Sequence, residues 1–357
     1  MQTFTYVSKP CRIVFGAGKI ASLADEVALL GASRAMFCCT PGRRGEVEAL
    51  AQELGALSAG ICDIAEIYVP KAVAEEGRRR AREAEADCLI SYGGGTAIGL
   101  AKLIALELDI PLITVVTTYS GSETGEGQGM LVGNRRVAHR SPRMLPKTII
   151  YDSDLTRGLP VRVAVPSGIN AMAHAVGAFY TLNANPLSSL VAEDGIRALA
   201  SALPRIADGS ADGDVLDLAL YGAWLCGIAR TTAGLVLHHN VCHMAGNSFD
   251  LPHSDTHTII LPHSTAFYRE AAPEAMSRIA RALGDESGDA PGAIYDLLLR
   301  IGAPTALKDI GMPEEGLDPL VELILADYYP NPVPIKPEAV RAMLDDAWHG
   351  RPPRKSG

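Results

Sequence analysis

The chain has 357 residues, of which 48% are hydrophobic and 20% are charged, and its formal net charge is −9. This composition is typical of a globular protein, and the length predicts two domains. The acidic balance argues against nucleic acid or an anionic membrane as a partner. No apolar run approaches the roughly 20 residues that span a bilayer, and no signal peptide is evident. The seven cysteines lack metal-ligand spacing, so we predict free thiols in a cytoplasmic protein.

Strand and helix signals alternate along the first 150 residues. The predicted strands are 12–15, 34–39, 88–92 and 111–116. The predicted helices are 19–30, 46–54, 71–86 and 97–108. This alternation predicts a parallel sheet with helices on both faces.

Helical patterns dominate after Asp152, and strand signals almost vanish. The predicted helices there are 169–181, 186–203, 215–235, 274–283 and 292–301. The segment Arg157-Gly158-Leu159-Pro160 interrupts the pattern between the alternating strand–helix region and the helical region. We therefore predict an α/β NAD(P)H-binding domain over residues 1–157 and an all-α catalytic domain over residues 158–357.

A glycine-rich loop, Gly93-Gly94-Gly95-Thr96, follows an apolar strand and precedes a helix. Glycines allow phosphates to approach the backbone closely, and the N–H groups at the start of a helix attract anions. This arrangement predicts a pyrophosphate site, and the alternative is a tight turn without a ligand. A hydroxyl-rich loop, Thr117 to Glu123, ends the next predicted strand and is either a second ligand-binding loop or a polar surface turn.

The earlier loop Gly16-Ala17-Gly18 also follows a strand and fits a loose dinucleotide-binding pattern. The next strand should then end in an acidic residue that binds the ribose hydroxyls, but it is followed by Arg43 and Arg44 instead. We interpret this first loop as structural. The missing acid leaves NADPH open beside NADH.

Seven of the nine histidines lie between positions 173 and 265. They are His174, His238, His239, His243, His253, His257 and His263. Residues four apart share one face of a helix, as His239 and His243 do, and as Asn170 and His174 do. The cluster is open to three interpretations: a metal site, a metal-free site of hydrogen-bond donors and a general acid, or scattered structural histidines.

The sequence resembles the iron-containing (group III) alcohol dehydrogenases, which have the dehydroquinate-synthase-like fold. The resemblance covers nearly the whole chain. It rests on Phe15 to Gly18, Gly93 to Thr96 with Lys102, Thr117-Thr118, Ile150-Tyr151-Asp152, Leu159-Pro160, and the spacing His239-x3-His243-x9-His253. Members are typically homodimers.

In the metal-dependent members an Asp and three His hold a divalent ion, and the matching positions here are Asn170, His174, His239 and His253. Asparagine lacks the anionic oxygen that hard cations prefer, so we expect no bound metal. Together with Asn170, the hydroxyl-rich loop and Tyr329-Pro330-Asn331-Pro332 resemble those of the branch that reduces maleylacetate to 3-oxoadipate with NADH or NADPH. That reaction belongs to bacterial catabolism of resorcinols and chlorophenols. The alternatives are a metal-dependent alcohol or polyol dehydrogenase, and a lyase or synthase on the same scaffold.

The resemblance and the chemistry together imply roles for individual residues toward a small dicarboxylate substrate. His243 is the expected proton or hydrogen-bond donor, and His174, His239 and His253 form a positive or donor-rich pocket for substrate oxygens, beside Asn170. Tyr119 lines the nicotinamide pocket or belongs to the core. The expected cofactor-binding residues are Gly94, Gly95, Thr96, Thr117, Thr118, Ser120, Lys102 and Arg136. The alternative for Lys102 is a structural role as a solvated lysine on the face of a helix. Arg136 is expected to contact either the cofactor or a substrate carboxylate.

Overall fold

A computed structural model describes residues 3–133, 135–326 and 331–355. The chain divides into two compact units, one of residues 8–159 and one of residues 160–357 together with residues 3–7. The division falls between Leu159 and Pro160, two residues beyond the predicted boundary. Pro160 directly precedes the first helix of the second unit. A prolyl ring fits there because the first turn of a helix needs no N–H donor.

The first unit is built on a six-stranded sheet in the order β1-β8-β5-β4-β2-β3, and every pairing in it is parallel. Its strands are β1 (Arg12–Phe15), β2 (Ala35–Cys38), β3 (Ser58–Cys62), β4 (Cys88–Gly93), β5 (Leu112–Val116) and β8 (Thr148–Tyr151). Its helices are α1 (Leu23–Leu29), α2 (Arg44–Leu54), α3 (Lys71–Glu83) and α4 (Gly95–Leu108). The α/β class predicted from the alternation is confirmed.

Helices cover both faces of this sheet. On one face, Leu100 and Ile104 of α4 pack against Met36 and Leu89 in a buried apolar cluster. On the other, residues of α1 and α2 pack in a second cluster with Phe37, Ile90 and Ile113. The neighbouring strands β2 and β4 therefore lead into helices on opposite faces. Such a switch point leaves a crevice at the carboxyl ends of the strands, where ligands of open α/β sheets bind.

Four strands of this unit were absent from the predicted elements. β6 (Gly127–Val132) and β7 (Arg135–Arg140) form an antiparallel hairpin outside the main sheet, and most of their residues are exposed or half-buried, so no apolar alternation marks them. β3 contains Gly60 at φ +117° and pairs with β2 through a register irregularity. β8 has a short apolar sequence without a regular period.

The second unit is helical throughout the residues that the structure covers. Its helices are α5 (Val161–Ala178), α6 (Pro186–Ala207), α7 (Gly213–Ala233), α8 (Leu237–Phe249), α9 (His253–Ala266), α10 (Pro273–Ala282), α11 (Ala290–Arg300), α12 (Leu317–Ala326) and α13 (Pro337–His349). Helices α6 and α7 approach so closely that a Cβ at Gly195 would lie 3.1 Å from the carbonyl oxygen of Gly222. Small residues at this crossing permit the tight packing beside α5.

The predicted helix at 169–181 begins eight residues earlier in the structure, because Pro166 lies inside α5 without ending it. Helices α8, α9, α12 and α13 were not predicted. In α8 and α9, polar residues and histidines take positions that face the interior, so the apolar period is lost. No single helix in the described ranges has the length and apolarity to cross a membrane. Helices α7 and α8 taken together have the length and composition of a membrane span, but the pair is bent by 105° at the break between them.

Candidate active site

The loop after β4 has the geometry that an anion needs. Gly93 has φ +143°, a backbone conformation that other residues rarely adopt. Helix α4 begins at Gly95, no side chain caps its first turn, and Gly94, Gly95 and Thr96 are half-buried. A Cβ at Gly94 would lie 2.7 Å from the hydroxyl of Thr118, so only glycine fits. The uncapped N–H groups at this switch point suit the pyrophosphate of a dinucleotide.

The second loop is joined to the first. The Thr117 N–H donates to the Gly93 carbonyl at 3.2 Å, and the hydroxyls of Ser120 and Ser122 lie 3.1 Å apart. Thr117 is buried and its hydroxyl has no hydrogen-bond partner within the described part of the chain, whereas Thr118 is half-buried. The loop is thus not the polar surface turn of the alternative interpretation, because most of its residues are buried. Its contact with a cofactor stays a prediction.

Tyr119 is fully buried in the first unit. Desolvation raises the pKa of its phenol, and a hydrogen bond with Thr156 opposes this shift. The ring therefore has a core position, and its predicted role at the nicotinamide remains untested by these contacts.

Lys102 of α4 donates hydrogen bonds to the backbone of the second loop. Its Nζ donates to the carbonyl oxygens of Ser122 at 2.7 Å and Gly125 at 2.6 Å, and its side chain is fully buried. The alternative of a solvated helix-face lysine is therefore wrong. The geometry makes Lys102 a residue that holds the loop in shape, and direct contact with the cofactor stays a prediction.

Arg136 lies on the hairpin, with its guanidinium against Gly129, where a Cβ would lie 2.0 Å from Nε. Desolvation lowers the pKa of Arg136, and the nearby Tyr68 opposes this shift. These contacts place Arg136 against the hairpin and close to Tyr68. They neither support nor contradict its predicted ligand contact.

The first glycine loop is occupied by a side chain of the chain itself. The N–H groups of Gly18 and Ile20 donate to the two carboxylate oxygens of Asp152 at 3.0 and 2.8 Å. The structural interpretation of this loop is confirmed, since its donors already have an anion. Arg43 and Arg44 are also paired, with the carboxylates of Glu46, Glu48 and Asp63.

Six of the seven clustered histidines converge in the second unit. His174 of α5 stacks on His239 of α8 with ring centroids 4.8 Å apart, and His243 stacks on His253 at 6.0 Å. His257 of α9 lies among them, 4.9 Å from His239 and 4.5 Å from His253. Asn170 lies one helical turn before His174 and is also buried. The scattered-histidine interpretation is therefore wrong for these six.

The cluster is neutral in its buried part. Desolvation, aided by the positive charge of Arg230, holds the pKa of His174 well below its usual range. Desolvation does the same for His239, where neighbouring histidines and Arg230 add to the shift. The lowered pKa values of these rings favour the donor-rich form of the predicted pocket over the positive one, and its contact with substrate oxygens stays a prediction. His243 and His253 are half-buried and form the accessible edge of the cluster.

The donor set can be tested against a divalent ion. Asn170 Oδ1, His174 Nδ1 and both ring nitrogens of His239 are buried and have no hydrogen-bond partner among the described residues, so they are free to bind a ligand. All of these donors are neutral, and the charge of Arg230 acts on the same two histidines. A divalent ion without an anionic ligand beside an arginine lacks charge compensation. The residues suit an anionic organic ligand instead.

Some residues were missed by sequence reasoning, and others lie elsewhere. Arg230, a cation on the largely apolar helix α7, was a visible signal. His257 and His238 matched no expected ligand position, yet their rings contact the cluster. His263 is separate, and its pKa is lowered to about 4 by burial. Asn331 accepts a hydrogen bond from Tyr268, whereas Tyr329 and Pro330 lie outside the described residues.

Comparison with known proteins defines the class. Residues 10–153 match the iron-containing alcohol dehydrogenase family, and residues 164–348 match the Fe-containing alcohol dehydrogenase family, C-terminal. The chain belongs to the iron-containing alcohol dehydrogenase family, and it is an oxidoreductase. Members of this family use a nicotinamide cofactor, which agrees with the glycine loop at the switch point.

Within the family, the chain is similar to maleylacetate reductases. It is 42% identical to maleylacetate reductase from Rhizobium sp. (strain MTP-10005), over 99% of this chain and 100% of that one. It is 41% identical to the enzyme of the same name from Sphingobium indicum, over 98% and 99% of the two chains. A crystal structure of maleylacetate reductase from Agrobacterium tumefaciens superposes with a TM-score of 0.94 at 42% identity, covering 99% of this chain and 100% of that one.

Proposed function

We propose that this chain reduces maleylacetate to 3-oxoadipate with NADH or NADPH, without a metal ion. The carrying observation is the buried cluster of neutral imidazoles around Asn170, in a chain 42% identical over its full length to a maleylacetate reductase. The cluster offers hydrogen-bond donors and the charge of Arg230 where a metal-dependent enzyme would need an anionic ligand. A small dicarboxylate with a ketone conjugated to a C=C bond suits these groups.

A nicotinamide, when bound, would supply a hydride to the alkene carbon next to the substrate carboxylate. The electron pair of the C=C bond then moves toward the ketone oxygen, which becomes an enolate. His243, half-buried at the edge of the cluster, protonates the remaining alkene carbon or donates to the oxygen. His174, His239 and His253 donate hydrogen bonds to substrate oxygens and stabilise the developing charge. One hydride and one proton give the saturated oxo-dicarboxylate.

Asn170 and Arg230 set the electrostatics of this step. A carboxylate at position 170 would repel a dianionic substrate, and the amide removes that charge. Arg230 has the opposite effect, because its charge attracts a carboxylate and opposes a cation. Both features favour an anionic substrate over a divalent ion, and we infer that no metal is required.

The experiment is NADH absorbance loss with maleylacetate, using protein dialysed against EDTA. Rapid turnover is expected, with no further gain on adding Zn²⁺ or Fe²⁺. Turnover that appears only after a divalent ion is restored would favour a metal-dependent alcohol or polyol dehydrogenase. Full activity with simple alcohols and NAD⁺, and none with maleylacetate, would refute the proposal.

A further inference from the structure

Three buried side chains form a hydrogen-bonded row that includes two histidines of the cluster. The hydroxyl of Ser264 is 2.8 Å from Nδ1 of His238, and Nε2 of His238 is 2.9 Å from Nδ1 of His257. All three side chains are 0 to 1% exposed. Only one hydrogen fits between the two facing ring nitrogens, so the row has a direction.

Ser264 fixes that direction. Its hydroxyl has one proton, which faces either His238 or the carbonyl oxygen of Leu261 at 3.1 Å. That carbonyl already accepts the hydroxyl of Thr265 at 2.7 Å, besides the backbone N–H expected one helical turn on. Its two lone pairs are thus used, and the shorter contact, to Nδ1 of His238, takes the proton. His238 must then carry its own hydrogen on Nε2.

Cys242 is a second, weaker neighbour of His238. Its Sγ lies 3.7 Å from Nε2 of His238, and its thiol donates toward the carbonyl oxygen of Thr256 at 3.9 Å. The shorter of these two contacts faces His238 and both are long, so Cys242 does not determine where the hydrogen of His238 lies. Ser264 determines it, and Nε2–H of His238 donates to Nδ1 of His257 at 2.9 Å.

The hydrogen of His257 is consequently on Nε2, which is buried and has no hydrogen-bond partner in the described chain. The ring lies beside His253 and His239. A buried N–H without an acceptor is costly, which indicates that a ligand supplies the acceptor. We propose that His257 is a further substrate-binding residue that donates from Nε2 to a substrate oxygen, and that His238 and Ser264 are positioning residues that fix its tautomer. The identity of the substrate rests on the proposed function.

A metal ion is the competing occupant. The ligand atoms of His238, Cys242 and His257 lie within 4.8 Å of one another. An ion there would need lone pairs on both facing nitrogens and a thiolate. The 2.9 Å contact between those nitrogens is instead the length of an N–H···N bond, and desolvation raises the pKa of the Cys242 thiol. A bound metal would therefore contradict the hydrogen-bonded row.

The tautomers are measurable without any substrate. In protein labelled with ¹⁵N-histidine, two-bond ¹H–¹⁵N correlation spectra distinguish Nδ1–H from Nε2–H rings. We expect both His238 and His257 to be Nε2–H. The Ser264→Ala variant should change the His238 pattern, and Ser264→Thr should restore it. Thr258→Ala is a matched control, since that buried hydroxyl on the same helix donates to the carbonyl of Ser254. A Nδ1–H signal for His257, or stoichiometric metal in the purified protein, would overturn the inference.

Kinetics test the substrate contact. His257→Leu should raise KM for maleylacetate about 10-fold, the loss of one hydrogen bond to a charged group, with NADH affinity unchanged. His257→Gln places an amide N–H near the position of Nε2 and should recover part of the loss. An active native enzyme whose His257→Leu variant keeps its KM would refute the contact. A native enzyme that fails to oxidise NADH with maleylacetate would refute the proposed function. The tautomer measurement would still show whether Ser264, His238 and His257 are hydrogen-bonded in the proposed direction.

Discussion

The amide at position 170 separates two chemistries that one scaffold can support. Asn170→Asp should add the anionic ligand that His174, His239 and His253 lack. We expect the variant to bind about one divalent ion per chain, as three imidazoles and a carboxylate do. It should also lose maleylacetate reduction by at least about 10-fold, because the new charge repels the substrate. Metal analysis after dialysis and NADH oxidation rates measure the two effects.

Asn170→Ala is the control for this exchange, since it removes the amide without adding charge. It should bind no metal and lose less activity than the aspartate variant. An aspartate variant that stays metal-free and fully active would contradict the electrostatic argument.

Arg230 is the cation whose charge acts on the buried histidines. Arg230→Gln should raise KM for the dicarboxylate by about 10- to 100-fold, the loss of a charge-assisted hydrogen bond, while NADH affinity stays the same. Steady-state kinetics and NADH fluorescence titration separate the two. Arg205→Gln is the matched control, because Arg205 is exposed on α6 and bonds Ser210 and Asp212. Equal kinetics for both variants would remove Arg230 from the site.

At the scale of the elements, the sequence predicted what local spacing determines. The strand–glycine–helix order around Gly93 and the four-residue spacing of His239 and His243 both appear in the structure as expected. His257 was counted in the cluster but given no expected role at the site, because its place among the other rings depends on how α8 and α9 pack. The role of Asp152 was hidden for the same reason, since it binds N–H groups more than 130 residues away in the chain.

Two buried side chains, Lys102 and Asp152, hydrogen-bond loops of the first unit, and replacing them should have different effects on NADH affinity. Lys102→Met leaves the carbonyls of Ser122 and Gly125 without a donor, so it should cost about 2 kcal/mol of stability. Because the freed loop belongs to the proposed cofactor site, NADH affinity should fall roughly 10-fold. Asp152→Asn loosens the first glycine loop and should cost a similar roughly 2 kcal/mol while leaving NADH affinity unchanged. Thermal unfolding and NADH titration of both variants test this contrast, which fails if both lose affinity equally.

The whole molecule should become unstable in mild acid. Four buried histidines, His174, His238, His239 and His257, have pKa values lowered mainly by desolvation. Below about pH 6.5 an unfolded chain protonates these rings while the folded chain does not, so protons favour unfolding. This penalty is absent above that pH and grows as pH falls.

The four groups together should lower the free energy of unfolding by on the order of 6 kcal/mol between pH 8 and pH 5.5. Thermal midpoints across that range measure the effect. In the His238→Asn variant the free energy of unfolding should depend less steeply on pH, because one fewer proton is bound on unfolding. A midpoint that stays constant from pH 8 to pH 5.5 would show that the rings are accessible to protons in the folded protein.

Association into a homodimer is the remaining whole-molecule prediction, and it follows from the resemblance and from an exposed apolar segment. Phe4, Tyr6 and Val7 are 43%, 45% and 71% exposed, and the residues from 3 to 11 form no strand within the described chain. An extended apolar segment of this kind can pair with a second copy across a two-fold axis. Light scattering should therefore give twice the 37.7 kDa chain mass. The double variant Phe4→Glu, Val7→Glu should shift the mass toward one chain, because two buried charges at a symmetric contact repel. A monomeric native protein would refute the dimer, and a dimeric double variant would place its interface elsewhere.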